Sequence, residues 1–599
     1  MGIGPLILVS QRSWIVSVAI YDSLMRIRQI TVKNFRAIRH VSLKPAACTV
    51  LVGENATGKT SILHALRLLL DTDARRLVAE LTEDDLNHEA RKAGERTLSI
   101  EIEVGEVERH PELQAAFMTS VATDGTEQYF TLRGSFGPEE PTDKASPVVW
   151  RALVLPPDAS KADPVPFTAR MAQMLPLYHL DAVRDAARET RASGRSLLGR
   201  LLQDISLDDI ADKLRTAVVN VNTQLGASKA LTAMASALTN LIRPHTPGSH
   251  GDLRFVLTQE DIDSVLKGLR LVVHEPGGSL DIARQATGLQ NLVLVALFRH
   301  LVTLTGVGFP ILSFEEPEGH LHPHGQRRLA QELVALPGPT LMTTHSPIVV
   351  EKVPLASVIR LARGTSGVSS YQCAAPSRQE QTDFAQFIRA GRAEALFARS
   401  VIAVEGESEC IALPAFARLL GLDLDRDGVY VVRCESNTFV ATVQRALGAK
   451  ALHIPVVVTY DLDALERNDD LLNTAIKGGA LEATVSAAKG QPVHIKRAAL
   501  DALGWIAVTE NFEEEVCSNG YGDVAVGVID AEGFGGGFDK FVSTNGLSRD
   551  GTAAGKYIPK HSRLKISLAR AVASNAATVR RVPSCFEVAL TRAVALATA

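Results

Sequence analysis

"TVLVGENATGKTS", Thr49–Ser61, decides how the first half of this 599-residue chain folds. A short β-branched and apolar run stops at Gly53. After Gly58-Lys59-Thr60 the stretch "ILHALRLLL" takes a helical spacing. A strand, a tight loop and a helix are expected in that order. Gly53-x4-Gly58-Lys59-Thr60 in that setting is a P-loop. Its glycines let backbone N–H groups turn in around phosphate oxygens, and the helix N-terminus adds positive potential. Gly53, Asn55, Gly58, Lys59, Thr60 and Ser61 are the expected contacts to ATP, with Lys59 on the β- and γ-phosphates and the Thr60 hydroxyl on Mg²⁺.

Two later strands complete such a site. "FPILSFEEPEGHLHP" (Phe309–Pro323) ends its apolar run at Glu315 and Glu316. Glu315 is suited to hold Mg²⁺ through water, and Glu316 to orient and deprotonate the attacking water. "PTLMTTHSP" follows, a strand ending at His345, where an imidazole can sense the γ-phosphate. "LPLYHLDAVRDA" (Leu175–Ala186) reads as a further strand, after which Arg184 either supports nucleotide or pairs with Asp181 or Asp185.

The second half carries a different pattern. In "VIAVEGESECIALPAFARLL" an apolar strand ends at Glu405, and Glu409 falls in the first turn of the helix that follows. "GVYVVRC" is another strand, and "VVVTYDLDA" (Val456–Ala464) closes on Asp461 and Asp463. Adjacent parallel strands bring their C-terminal tips together, which is where α/β folds build sites. Four converging carboxylates repel one another unless cations intervene, so Mg²⁺ or Mn²⁺, which favour hard oxygen ligands, are the expected occupants.

Composition narrows the class. Lysine and arginine number 63 against 67 acids, a net charge of −4, so any nucleic acid must be held by local patches. The basic stretch Lys556, Lys560, His561, Arg563, Lys565 and Arg570 is such a candidate, and a solvated helix face is its alternative reading. The six cysteines are scattered with no C-x-x-C pair, which argues against a zinc ribbon or a disulfide framework and suits a reducing cytoplasm. No run is long enough for a membrane span. In residues 1–24, "LILVS" and "WIVSVAI" are apolar but interrupted by "QRS", with no convincing cleavage site. They read as an extension outside the core, which opens with "MRIRQITVKNF" at Met25.

The order P-loop, acidic strand end, strand-end histidine resembles the ABC-type ATPase heads of chromosome-maintenance and break-repair proteins. That resemblance implies nucleotide sandwiched between two heads, with "RQATGLQNLVLVALF" as the signature segment and Gly288, between Thr287 and Gln290, at its helix start. Roughly 230 residues separate P-loop and signature, without a sustained heptad seam, so a compact helical insert is expected in place of a long coiled-coil arm. E-G-x-S-E followed by D-x-D resembles the Toprim fold. The two together resemble the OLD (overcoming lysogenization defect) family of phage-defence nucleases, from Met25 to near the end of the chain.

That family implies an α/β chain: an ABC-type P-loop ATPase with a helical insert, then a Toprim domain with a Rossmann-like parallel sheet and a helical addition. The expected divisions are 1–24 extension, 25–185 and 251–390 ATPase, 186–250 helical insert that could dimerise, and 395–599 Toprim. It implies two-metal DNA cleavage in the cytoplasm, in phage defence or DNA processing, by a homodimer or higher oligomer, with a helicase-like partner possible and no membrane. Glu405, Asp461 and Asp463 are the central metal ligands, completed by Glu409 and Glu513, with Lys565 stabilising charge on the phosphate. Glu510 and Glu514 are alternatives to Glu513, and Lys560 to Lys565. "RCESNTF" departs from a glycine-containing turn common in the family. A tyrosine nucleophile of the topoisomerase kind is not evident around Tyr460 or Tyr557. The rival reading is a non-catalytic, ATP-driven DNA clamp or sensor.

Overall fold

The strand expected before the P-loop is Cys48–Val52, with all five residues buried. In this computed structural model, which describes residues 25–598 apart from 72–73, 140–145, 159, 183–184, 192–195, 204–207, 243–270, 276–277, 305–308, 337, 365–366, 374–375, 436, 450, 468, 480–481 and 510, it sits inside a six-stranded sheet. The first 24 residues, Arg184, Glu510 and the stretch joining the helical insert to the second ATPase part lie outside the described residues. The sheet order is Gly367–Gln372, Val358–Gly364, Cys48–Val52, Thr340–Thr343, Ile311–Glu315, Leu177–Leu180. Val358–Gly364, Thr340–Thr343 and Ile311–Glu315 all run parallel to the P-loop strand. Parallel strands covered on both faces account for the unbroken apolar runs of the sequence. The shared direction sends Gly53, Glu315 and His345 to one edge.

A second sheet of seven strands is antiparallel and opens with Arg26–Phe35, which pairs with Ile38–Leu43 and Leu98–Gly105. Between the sheets runs the P-loop helix Lys59–Leu70, in contact with strands of both. Nine of its residues are buried, and a helix enclosed this way is apolar nearly all round, as "ILHALRLLL" is.

The Toprim sheet has four parallel strands in the order Val429–Arg433, Ser400–Val404, Val456–Asp461, Ile506–Val508. Ser400–Val404 is buried along its whole length. The strand from "GVYVVRC" therefore takes the edge, and the strands leading to Glu405 and Asp461 are direct neighbours. Helix Glu407–Leu419 packs on helix Ser562–Val579, and both share one core with Ser584–Thr598 and Gly522–Ala531 through Phe416, Tyr521, Leu568 and Phe586.

Two compact units emerge. Residues 180–310 and 317–325 form the smaller, and the remaining described chain the larger, which holds both the P-loop and the Toprim sheet. The smaller unit contains helices Leu197–Gln203, Asp208–Ala227 and Lys229–Ile242, a hairpin of Val272–Glu275 with Gly278–Asp281, and helix Thr287–Leu304. Among its described residues the longest helix is the 20-residue Asp208–Ala227.

Candidate active sites: a phosphate cleft and an acid cluster

The P-loop lines a cleft of about 280 Å³ together with the strand ends beside it. Backbone geometry explains its glycines. Gly53 has φ 143°, and a Cβ there would lie 2.2 Å from the Leu361 carbonyl oxygen; Gly58, at φ 88°, caps the helix in the left-handed region. Lys59 is buried, and its Nζ donates to the carbonyls of Gly53 (2.8 Å) and Glu54 (2.7 Å). Burial pulls its pKa down to about 8, against the raising influence of Glu316 and Glu54. Thr60 is exposed towards the cleft beside Asn55, Ser61, Glu316 and His345.

Glu315 is the last residue of its strand, level with Thr343. Glu316 turns off at φ 40°, its N–H held by the Thr343 carbonyl at 3.1 Å, and its carboxylate stands 3.7 Å from His345 Nε2. Burial and the Lys59 charge hold the His345 pKa below its ordinary value, so the imidazole is neutral at pH 7 and can accept or donate. Gly288 is the second residue of helix Thr287–Leu304 in the smaller unit, where a Cβ would come within 2.9 Å of the His320 carbonyl oxygen.

The acid cluster is built from three segments. Register brings Ala403 level with Val458, so two residues on Glu405 draws level with Tyr460, next to Asp461 in the chain. Asp461 pairs with Val508 on the next strand, and the chain then enters helix Phe512–Val516, capped by Asn511. Glu409 is 4% exposed and Glu513 2%. Burial, then the charges of Glu405 and Glu513, push the Glu409 carboxyl up to about 7. Glu513 is raised too, by burial, with Lys565 opposing from 3.8 Å. The sequence reading placed Asp463 on the strand. It lies in helix Leu462–Arg467, because Asp461 ends the strand pairing and the chain turns there. Its side chain is outside the described set.

All donors at this cluster are carboxylate oxygens, the chemistry that Mg²⁺ or Mn²⁺ takes, and the upward push on Glu409 and Glu513 is what a cation would relieve. Among the described residues they form neighbours, not a closed cage: no three acids, histidines or cysteines stand as a ready-made metal site.

Known families match this chain in three stretches. The AAA ATPase domain family matches residues 25–128, and the overcoming lysogenization defect protein-like TOPRIM domain family matches residues 396–463. A family of proteins of unknown function matches residues 167–395. An OLD nuclease from Thermus scotoductus is 25% identical over 470 residues, 73% of this chain and 82% of that protein. The chain is similar to OLD nucleases along most of its length. The Old nuclease of Escherichia phage P2 is 21% identical over 489 residues, covering 75% of this chain and 80% of its own. The solved C-terminal region of the Burkholderia pseudomallei OLD protein is 24% identical, covers 34% of this chain and 99% of that one, and has a TM-score of 0.26. No helix among the described residues is long and apolar enough to cross a membrane.

In the stretch that matches the OLD-like TOPRIM family, the "RCESNTF" segment enters the left-handed region without a glycine. Glu435 takes φ 59° and donates its N–H to the Glu405 carbonyl at 3.0 Å, while Arg392 (2.9 Å) and Arg433 hold its carboxylate. Two cleft residues escaped the sequence reading. Arg36 sits at φ 51° in the "NFRAI" turn, and Arg363 lies near the end of strand Val358–Gly364, beside the P-loop strand. A left-handed Asn-x-Arg turn is a signal that could have pointed to the first. The second needed the strand order. In the basic stretch, Lys560 lies over the Phe541 ring at 4.2 Å and Arg563 pairs with Glu532 at 2.6 Å, leaving Lys565 as the lysine beside the acids. Glu514 turns its carboxylate to the Asn511 cap at 3.1 Å.

Proposed function

We propose that the chain is an ATP-binding and ATP-hydrolysing, metal-dependent DNA endonuclease whose Toprim cluster cuts phosphodiester bonds, with phage defence or DNA processing as its setting. What carries the reading is the acid cluster: Glu405, Glu409 and Glu513 come from two separate segments, feel one another's charge, and gather beside the Asp461 strand end with one lysine. Glu405, Asp461, Asp463, Glu409 and Glu513 would hold Mg²⁺ or Mn²⁺. Two such ions supply Lewis acidity for the attacking water and the departing 3′-oxygen.

The chain's own groups have separate tasks. Lys565 offsets charge growing on the phosphate and, in its absence, neutralises Glu513. Glu435 and its two arginines fix the backbone that presents Glu405. DNA phosphates would meet the exposed Lys556, Lys560 and Arg570 on the same helical addition. At the phosphate cleft Lys59 and the P-loop bind the triphosphate, Thr60 and Glu315 take its Mg²⁺, Glu316 is the base and His345 contacts the γ-phosphate. A second copy would bring Gly288 to that phosphate, its helix start exposing Leu289 and Leu292.

Cleavage of supercoiled plasmid in Mg²⁺ or Mn²⁺, with an EDTA control and the Asp461→Ala variant, tests this. Metal-dependent nicking that Asp461→Ala loses supports the nuclease. Uncut plasmid in every metal, with ATP hydrolysis intact, returns the chain to the clamp or sensor reading.

A further inference from the structure

The two candidate sites share a physical connection that neither motif announces. Glu54, the residue after Gly53 in the P-loop, makes a bidentate ion pair with Arg399, whose Nη2 lies 2.9 Å from Glu54 Oε2. Arg399 immediately precedes strand Ser400–Val404, which ends at Glu405. Its backbone N–H is bound by the Gly428 carbonyl at 2.8 Å, at the start of the neighbouring strand. A second tie lies one strand over. Arg360, level with Val52 of the P-loop strand, is buried and donates to the carbonyls of Leu452 (3.3 Å) and His453 (2.9 Å). Those residues lead into strand Val456–Asp461, and the His453 ring stacks on Tyr371 with centroids 4.5 Å apart.

We infer that Arg399, through Glu54, is a positioning residue that carries the nucleotide state of the P-loop to the Toprim acids. The inference rests on the reading of the cluster as a metal site, and deepens it. The phosphate loop, through Glu54, grips the N-terminal root of the strand whose C-terminal tip bears Glu405, and Arg360, on the strand beside the P-loop strand, grips the root of the one that bears Asp461. Strands of five and six residues span about 16–20 Å, and a buried parallel strand moves as one piece, so displacement at the root reaches the tip. Displacement has a source. Lys59 is held by the carbonyls of Gly53 and Glu54, and triphosphate oxygens compete for the same ammonium. Drawing Lys59 away frees the Gly53–Glu54 peptide, whose side chain carries the bridge. Glu54 and Arg399 are each a little under half exposed, so the coupling is modest: about a two- to five-fold change at the distant site.

Hydrogen exchange on the full chain at constant Mg²⁺, with and without the non-hydrolysable analogue AMP-PNP, tests it. In the wild type AMP-PNP should change exchange across residues 400–409 by about two- to five-fold. Arg399→Ala should lose that change while its AMP-PNP affinity stays within about two-fold. The charge-swapped pair Glu54→Arg with Arg399→Glu should regain it. A response that persists in Arg399→Ala, or a wild type that binds AMP-PNP without any change there, overturns the inference. If exchange responds as expected yet no plasmid is cut, the coupling stands and the nuclease reading alone falls.

Discussion

At the phosphate cleft one ammonium, Lys59, is buried with two carbonyls of its own loop as partners. At the Toprim cluster several carboxylates crowd together, with a lysine 3.8 Å away. The first site is made by backbone: glycines at positive φ, a helix N-terminus and strand ends hold its shape without charge conflict. The second is made by side chains whose charges oppose one another, and burial pushes Glu409 up to about 7. A preorganised cradle suits an anion that comes and goes. A charge-strained cluster suits cations that stay through a reaction.

Asp461→Ala should reduce metal-dependent plasmid cleavage to background, while filter binding of ATP stays at the wild-type level. Glu316→Gln should do the converse: ATP hydrolysis falls about 10²–10⁴-fold with nucleotide still bound, because the base is lost but the cradle is not. Equal loss of both activities in either variant would show that the two sites are one. Lys565→Ala should lower single-turnover cleavage by about 10²–10³-fold, the range for removing one group that stabilises transition-state charge. Lys560→Ala, whose ammonium rests on Phe541, should leave that rate within a few-fold and weaken only DNA binding.

The same contrast explains what the sequence disclosed. The P-loop, Glu316, Glu405 and Asp461 are legible because strand ends and glycine loops are local signals, set by a few consecutive residues. The choice among the acids of "ENFEEEV" is not local. Phe512 and Val516 dock in the core and fix the phase of their short helix, which buries Glu513 and leaves Glu514 to the Asn511 cap. Strand order is not local either, so neither Arg363 in the cleft nor Arg399 under Glu54 could be found before the sheets were assembled. The smaller unit's Gly288 was legible only as a pattern.

A shift of a few degrees in thermal stability separates the two sites without any substrate. Glu409 has a folded-state pKa above its ordinary 4.5, so the metal-free protein retains a proton there that the unfolded chain has already released. Where the native state binds more protons, stability falls as pH rises. The Toprim transition of EDTA-treated protein should therefore move down by a few degrees between about pH 5 and pH 7.5. Glu409→Gln should flatten that slope, since an amide has no charge to bury. Mn²⁺ at about a hundred times its Kd should raise the transition in the wild type at pH 7.5 by several degrees, and by less in the variant. The phosphate cleft offers the opposite sign: the Lys59 pKa is lowered from 10.5 to about 8, so above about pH 8 the unfolded chain keeps a proton that the folded one has lost, stability rises with pH, and Lys59→Met should remove that rise. A metal-free transition that is level with pH in the wild type would mean that the carboxylates are not in conflict, and the physical ground for placing cations among them would be gone.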